Sequence, residues 1–251
     1  MAVSLLSGVG CSDDDKLRLT VAAAADLQYA FQEMERPFEA ECGCDVVFTF
    51  GSSGKFATQI EDGLPVDVFA SANAAYVERL KDKGLVVPGS DELYAIGRIV
   101  IAVPANSPLE PTGLDLLSDP RVTRIAIANP DHAPYGLAAK QALESAGPWE
   151  AVQPRLVLGE NAAQTTQFVE TGDAPVGIVP LSLAVQRKDK LRFALIDAAL
   201  HEPLRQVAGV LSRSKHPDLA GEFVRFINGD AGHPIMRKYG FILPGEELGG
   251  E

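Results

Sequence analysis

The chain has 251 residues, 46% of them hydrophobic and 22% charged. That is enough apolar material for a well-buried core in one large domain or two lobes, and it excludes a disordered chain. The formal net charge of −12 lacks the basic footprint that nucleic-acid binding needs, and any bound anion must be held by local dipoles against the field of the whole molecule.

No stretch approaches the roughly 20 consecutive apolar residues of a membrane helix. The run Leu5, Leu6, Ser7, Gly8, Val9, Gly10 before Cys11, followed by three aspartates, resembles the end of a bacterial lipoprotein signal, although no Lys or Arg precedes it. Residues 1–15 are therefore expected to be a signal remnant or a tether lipidated at Cys11, outside the fold.

The first strand is expected over residues 17–23. From Asp26, a natural N-cap, Leu27, Ala30, Phe31, Met34 and Phe38 recur at helical spacing. Pro37 should kink or shorten that helix. Cys42 and Cys44 flank Gly43; the pair could close a tight disulfide or remain free, and no further ligands with metal-site spacing accompany it. A second strand follows at 46–50, then the turn Gly51, Ser52, Ser53, Gly54 and a helix ending near Gly63. A third strand at 66–70 leads to a helix that Asn73 caps and Gly84 ends.

Later strands are expected at 99–103, 125–128, 155–158, 176–179, 193–196 and 206–211. Helices are expected at 135–145, 161–170, 181–187, 218–227 and 232–239. Strands alternating with helices define an α/β architecture with mostly parallel sheets flanked by helices. The absence of a composition break suggests two lobes joined by strands that cross near 99–103 and 206–211. The lobes are expected to be 16–100 plus 207–251, and 101–206.

In such sheets ligands bind beyond the carboxyl ends of strands, at helix N-termini. Four loops fit: Ala24, Ala25 and Asp26; Ser52, Ser53 and Gly54; residues 133–136 around Tyr135; and Glu160, Asn161 and Ala162. Each puts free backbone N–H groups at the positive end of a helix dipole. Two facing lobes would close these loops into a cage of N–H and O–H donors, suited to a deprotonated anion without help from Lys or Arg.

The segments 21–28, 50–54, 59–73, 129–136 and 177–180 together resemble the periplasmic molybdate-binding proteins of ABC importers, over about residues 16–243. The resemblance implies a two-lobed type II periplasmic binding protein fold, hinged by two crossing strands. It implies capture of molybdate or tungstate, delivery to a membrane ABC permease, a periplasmic or extracytoplasmic location and a monomer, with no cofactor and no catalysis. Ala25, Ser52, Ser53, Tyr135 and Ala162 match the family's ligand positions, with Asp26 and Asn161 as further candidates. The first-loop hydroxyl usual in the family is absent at Ala25, and a tyrosine found in some members is replaced by Pro180. Asp26 is expected to turn from the ligand and cap its own helix, Asp67 to order a neighbouring loop, and Lys55 either to ligate the anion or to point to solvent.

Three other readings compete. Sulfate, phosphate or vanadate could be the ligand, with Asp26 as the acceptor that protonated phosphate needs. A hydrolase would need a nucleophile such as Ser53, yet nothing in the sequence sets one of the four histidines beside it. A regulator's sensing domain would need a helix-turn-helix, for which residues 1–15 are too few.

Overall fold

The computed structural model describes residues 16–246; Cys11 lies outside them. The first lobe begins with β1 (Arg18–Ala24), α1 (Gln28–Cys42), β2 (Asp45–Gly51), α2 (Ser53–Glu61), β3 (Val68–Ser71), α3 (Ala74–Asp82) and β4 (Glu92–Gly97). The second contains β5 (Ile99–Pro104), β6 (Ile125–Ala128), α4 (Pro134–Ala146), α5 (Trp149–Val152), β7 (Leu156–Gly159), α6 (Ala162–Glu170), β8 (Val176–Pro180), α7 (Leu181–Val185) and β9 (Leu191–Leu195). The chain then returns to the first lobe with β10 (Leu204–Val210), α8 (Pro217–Ile227) and α9 (Gly232–Lys238).

The two sheets share one plan. The first has the order β2-β1-β3-β10-β4 and the second β7-β6-β8-β5-β9. β1 pairs in parallel with β2 and β3, and β6 with β7 and β8. The strand that has just entered from the other lobe is the reversed one in each sheet: β10 is antiparallel to β3 and β4, and β5 to β8 and β9. The passages therefore fall just before β5, at Arg98, and just before β10, at residues 196–203. The parallel strands end at the cleft between the lobes, which is where helix N-termini must gather.

The apolar pattern explains the packing. Ala30, Phe31, Met34 and Phe38 form the buried face of α1. Phe31 and Phe38 meet Phe223 of α8 edge-on, with ring centroids 5.5 and 5.1 Å apart, a geometry favoured by the ring quadrupoles. Pro37 does not shorten α1, which runs on to Cys42. Its end is set by Gly43 at φ 65°, where a left-handed residue closes the last turn by donating to the Glu39 carbonyl. Cys42 and Cys44 on either side of that glycine form a disulfide.

Strand β4 is absent from the sequence-based expectation. Tyr94 and Ala95 are both buried, so period-2 alternation is lost, and only Arg98 separates this strand from the apolar run of β5. Asp67 holds the entry to β3, as expected of a loop-ordering residue: it accepts from the Thr20 amide (2.8 Å), the Thr20 hydroxyl (2.7 Å) and the Ser214 hydroxyl (2.7 Å).

Candidate functional site

A small cavity of about 10 Å³ lies between the lobes. It is lined by residues 24–26, 51–53 and Ala72 from the first lobe, and by residues 133–135 and Ala162 from the second. That is a space on the scale of one water-sized occupant. Among the described residues no Lys or Arg lines it, and Asp26 is the one carboxyl group there.

Three helices begin at the wall. Ser53 opens α2, Tyr135 lies in the first turn of α4 behind Pro134, and Ala162 opens α6. First-turn N–H groups have no intrahelical partner and sit at the positive end of the helix dipole. Ala25 opens a short 3-10 turn on a fourth wall. The Ser53 side chain is fully buried; its Oγ accepts from the Ala72 amide at 3.0 Å, which leaves its own proton to donate into the cavity. Small residues at 24, 25, 72, 133 and 162 let a compact ligand reach the backbone.

The structure thus gathers Ala25, Asp26, Ser52, Ser53, Tyr135 and Ala162 around one space and leaves Asn161 out. Asn161 is the N-cap of α6: its side-chain oxygen accepts from the Gln164 amide at 3.0 Å. Ser52 lines the cavity, yet its hydroxyl donates across the cleft to the His132 carbonyl at 2.6 Å, and lies 2.9 Å from His132 Nδ1. The Gly54 amide donates to the same carbonyl at 2.9 Å. Lys55 takes neither expected role, since it pairs with Glu160 of the opposite lobe on the exposed rim. That pair holds the Glu160 carboxyl below its ordinary range, while burial lowers the pKa of His132.

The expected helix-capping role of Asp26 is overturned. The cap position of α1 is Leu27, with no side-chain cap, and Asp26 sits 2% exposed in the preceding turn. Its Oδ2 accepts from the Tyr135 hydroxyl of the second lobe (2.8 Å) and from Gln206 Nε2 of β10 (2.8 Å). A buried carboxyl gains more from two side-chain donors than from one cap N–H. Tyr94 extends the network by donating to Gln206 Oε1 at 2.9 Å, and Ser182 donates to the Asp26 carbonyl at 2.9 Å. Gly97 makes the approach possible, because a Cβ there would collide with the Tyr135 hydroxyl. Burial pushes the Asp26 carboxyl up to about 6, against the lowering effect of the Gln206 and Tyr135 hydrogen bonds. Burial and the neighbouring Asp26 drive the Tyr135 phenol well above its ordinary value. With its phenol engaged, Tyr135 has its amide left for a ligand.

Sequence reasoning missed His132, Ser182, Gln206 and Tyr94. Their partners lie in the facing lobe or on distant strands, up to 180 residues away for Gln206 and Asp26, and single-sequence periodicity carries no such signal.

Two α/β lobes closed over a small, donor-lined cavity define a two-lobed binding protein. A family described as bacterial extracellular solute-binding protein matches residues 19–242. The molybdate-binding protein ModA of Rhodobacter capsulatus is 33% identical, over 88% of this chain and 86% of its own length. The solved structure of the Azotobacter vinelandii periplasmic molybdate-binding protein superposes with a TM-score of 0.82 at 30% identity, covering 90% of this chain and 99% of that one. A putative ABC transporter substrate-binding lipoprotein of Bacillus subtilis, YvgL, is 28% identical over 92% of both chains. The chain belongs to the bacterial extracellular solute-binding protein family.

Proposed function

We propose that this chain captures molybdate, and with it tungstate, in the interlobe cavity outside the cytoplasmic membrane and delivers it to an ABC permease. One observation carries the reading: first-turn amides of three helices and the Ser53 hydroxyl converge on one small space that no Lys or Arg lines among the described residues. A tetrahedral oxyanion that stays deprotonated at neutral pH offers acceptors on every side and needs only such donors. The ligands are the Ser53 hydroxyl and the amides near Ala25, Ser53, Tyr135 and Ala162. Ser52 acts as a clasp between the lobes. The names of the relatives support the choice of anion. The lipoprotein name of the Bacillus relative supports a lipid on Cys11, which would hold a monomer near its permease.

The anion meets one lobe of the open form and the second closes over it. Loss of its hydration is offset by several charge-assisted hydrogen bonds, each about 1.5–3 kcal/mol. Closure also brings surfaces of both lobes into the arrangement that a permease can read. Binding without chemical change needs no nucleophile, and the Ser53 oxygen has an amide, not a histidine, as its neighbour.

A thermal-shift panel with molybdate, tungstate, sulfate, phosphate and vanadate tests this. A ligand at about a thousand times its Kd adds roughly 4 kcal/mol of stability, on the order of 10 °C for a chain of this size. Such a shift with molybdate and tungstate and none with sulfate is the expected result. A shift with sulfate or phosphate alone reassigns the anion, and none with any of the five removes the oxyanion reading.

A further inference from the structure

The carboxyl group of Asp26 is divided between two environments. Oδ2 is occupied by Tyr135 and Gln206. Oδ1 is fully buried and has no hydrogen-bond partner among the described residues. The residue also lines the cavity. A buried acceptor without a donor is costly, and beside a bound anion an ionised Oδ1 would add like-charge repulsion in a dry site.

We propose that Asp26 takes up a proton on Oδ1 when the lobes close over an oxyanion, so that capture of one anion consumes one proton from solvent. The idea rests on the cavity being the anion site. Protonation turns the orphan acceptor into a donor, Oδ1–H, on a residue that lines the cavity, while Oδ2 keeps its bonds to Tyr135 and Gln206. The new donor stands in the loop where Ala25 offers no hydroxyl. A dianion then adds one fewer negative charge to the closed cleft.

The surroundings leave Asp26 as the group that takes up the proton. From α4 it faces the Tyr135 phenol, from β10 the neutral amide of Gln206, and beyond that the Tyr94 phenol of β4. Both phenols are pushed well above their ordinary range by burial and by Asp26 itself, so they stay neutral. The Ser182 hydroxyl of α7 bonds the backbone and not the carboxyl. Among the described residues no cation faces the group to hold it ionised: Lys55 is paired with Glu160 at the rim, and His132 lies by Ser52. The upward shift to about 6 in the closed form runs the same way before any anion is added.

Isothermal titration of the full chain with molybdate, in two buffers of different ionisation enthalpy at about pH 7.5, reads the proton directly. At that pH a histidine of ordinary or lowered pKa is already neutral, which silences His132. The expected result is close to one proton taken up per anion by the wild type. Asp26→Asn, whose amide supplies a permanent donor, should bind without uptake. Wild-type affinity should fall with rising pH, up to tenfold per unit, and the Asp26→Asn affinity should stay flat. Binding with equal heats in both buffers overturns the proposal and leaves the anion site standing. No binding of molybdate, tungstate, sulfate, phosphate or vanadate overturns both.

Discussion

Ser52 and His132 clasp the two lobes: the Ser52 hydroxyl donates to the His132 carbonyl at 2.6 Å, and the amide of Gly54, two residues on, donates to the same oxygen at 2.9 Å. The carbonyl lies in the loop before α4 and the donors at the start of α2, so these bonds exist only when the lobes are shut. They join the helix N-termini that line the cavity, which ties closure to the assembly of the donor set. A ligand that needs all the donors at once therefore selects the closed population.

Gly54→Ala tests the clasp by steric means. A Cβ at this position would stand 2.6 Å from the His132 carbonyl oxygen and 2.7 Å from the Tyr76 hydroxyl. The Tyr76 side chain can give way, but the His132 backbone carbonyl cannot swing aside. The substitution should hold the lobes apart and weaken anion binding by at least about tenfold, roughly 1.4 kcal/mol. Alanine suits the helical backbone of α2, so the melting temperature without ligand should change little. Titration calorimetry gives the affinity, and an unchanged value would sink the idea that closure passes through this contact.

Ser53→Ala removes a donor of a different kind. The hydroxyl accepts from the Ala72 amide and has its proton free for the cavity. Its loss should lower affinity by about 10- to 100-fold, the range of one charge-assisted hydrogen bond. It also strands a buried N–H, at about 1–3 kcal/mol of stability, so calorimetric unfolding should show a lower midpoint even without ligand. Ser52→Ala loses the clasp but orphans no amide, and should lower affinity with a smaller effect on unfolding. Equal stability losses in the two variants would contradict the separate roles.

Much of this was legible in the sequence, for local reasons. The apolar residues at 27, 30, 31, 34 and 38 encode a helix face whatever surrounds them, and each is buried. Asn73 and Gly84 signal the two ends of their helix through capping and backbone chemistry that a few neighbours decide. The loops at Ser53, Tyr135 and Ala162 follow from strand–helix order alone. Asp26 was misread because capping is a local solution, whereas its actual partners are distant: Tyr135, 109 residues away, arrives only once the lobes meet, and Gln206, 180 residues away, only once β10 has joined the first sheet. Ser52 lines the cavity as expected, but its clasp to His132 was hidden for the same reason: that partner lies 80 residues off. Strand β4 was hidden by burial on both faces, which erases the alternation that marks a strand.

Lys55→Ala should do little. Its partner Glu160 lies across the cleft, but the two side chains are 45% and 51% exposed, and such pairs contribute about 0–1 kcal/mol in water. Affinity should change by less than about fivefold and by still less at high salt, where exposed charges are screened. A loss of a hundredfold would show that the Lys55 ammonium reaches the anion, contrary to its place on the rim.

Asp26→Asn makes a stability prediction that needs no ligand. The carboxyl titrates at about 6 in the folded chain against an ordinary 3.8. Between these values the folded state binds more protons than the unfolded state, so this group's contribution to stability falls as pH rises through the window and is flat above it. About two units correspond to roughly 3 kcal/mol. The amide oxygen can accept from Tyr135 and Gln206 as Oδ2 does, and it carries no charge to desolvate. Other carboxyls, such as Glu33 and Glu170, are lowered by their cationic partners and tilt whole-chain stability the opposite way, but they are common to both proteins and cancel in the difference. The variant should therefore melt several degrees above the wild type at about pH 7.5, with the gap closing towards pH 4. A wild type that melts at or above the variant at the higher pH would mean that the buried carboxylate is better satisfied than its orphan Oδ1 implies, and that the interlobe network favours the ionised form.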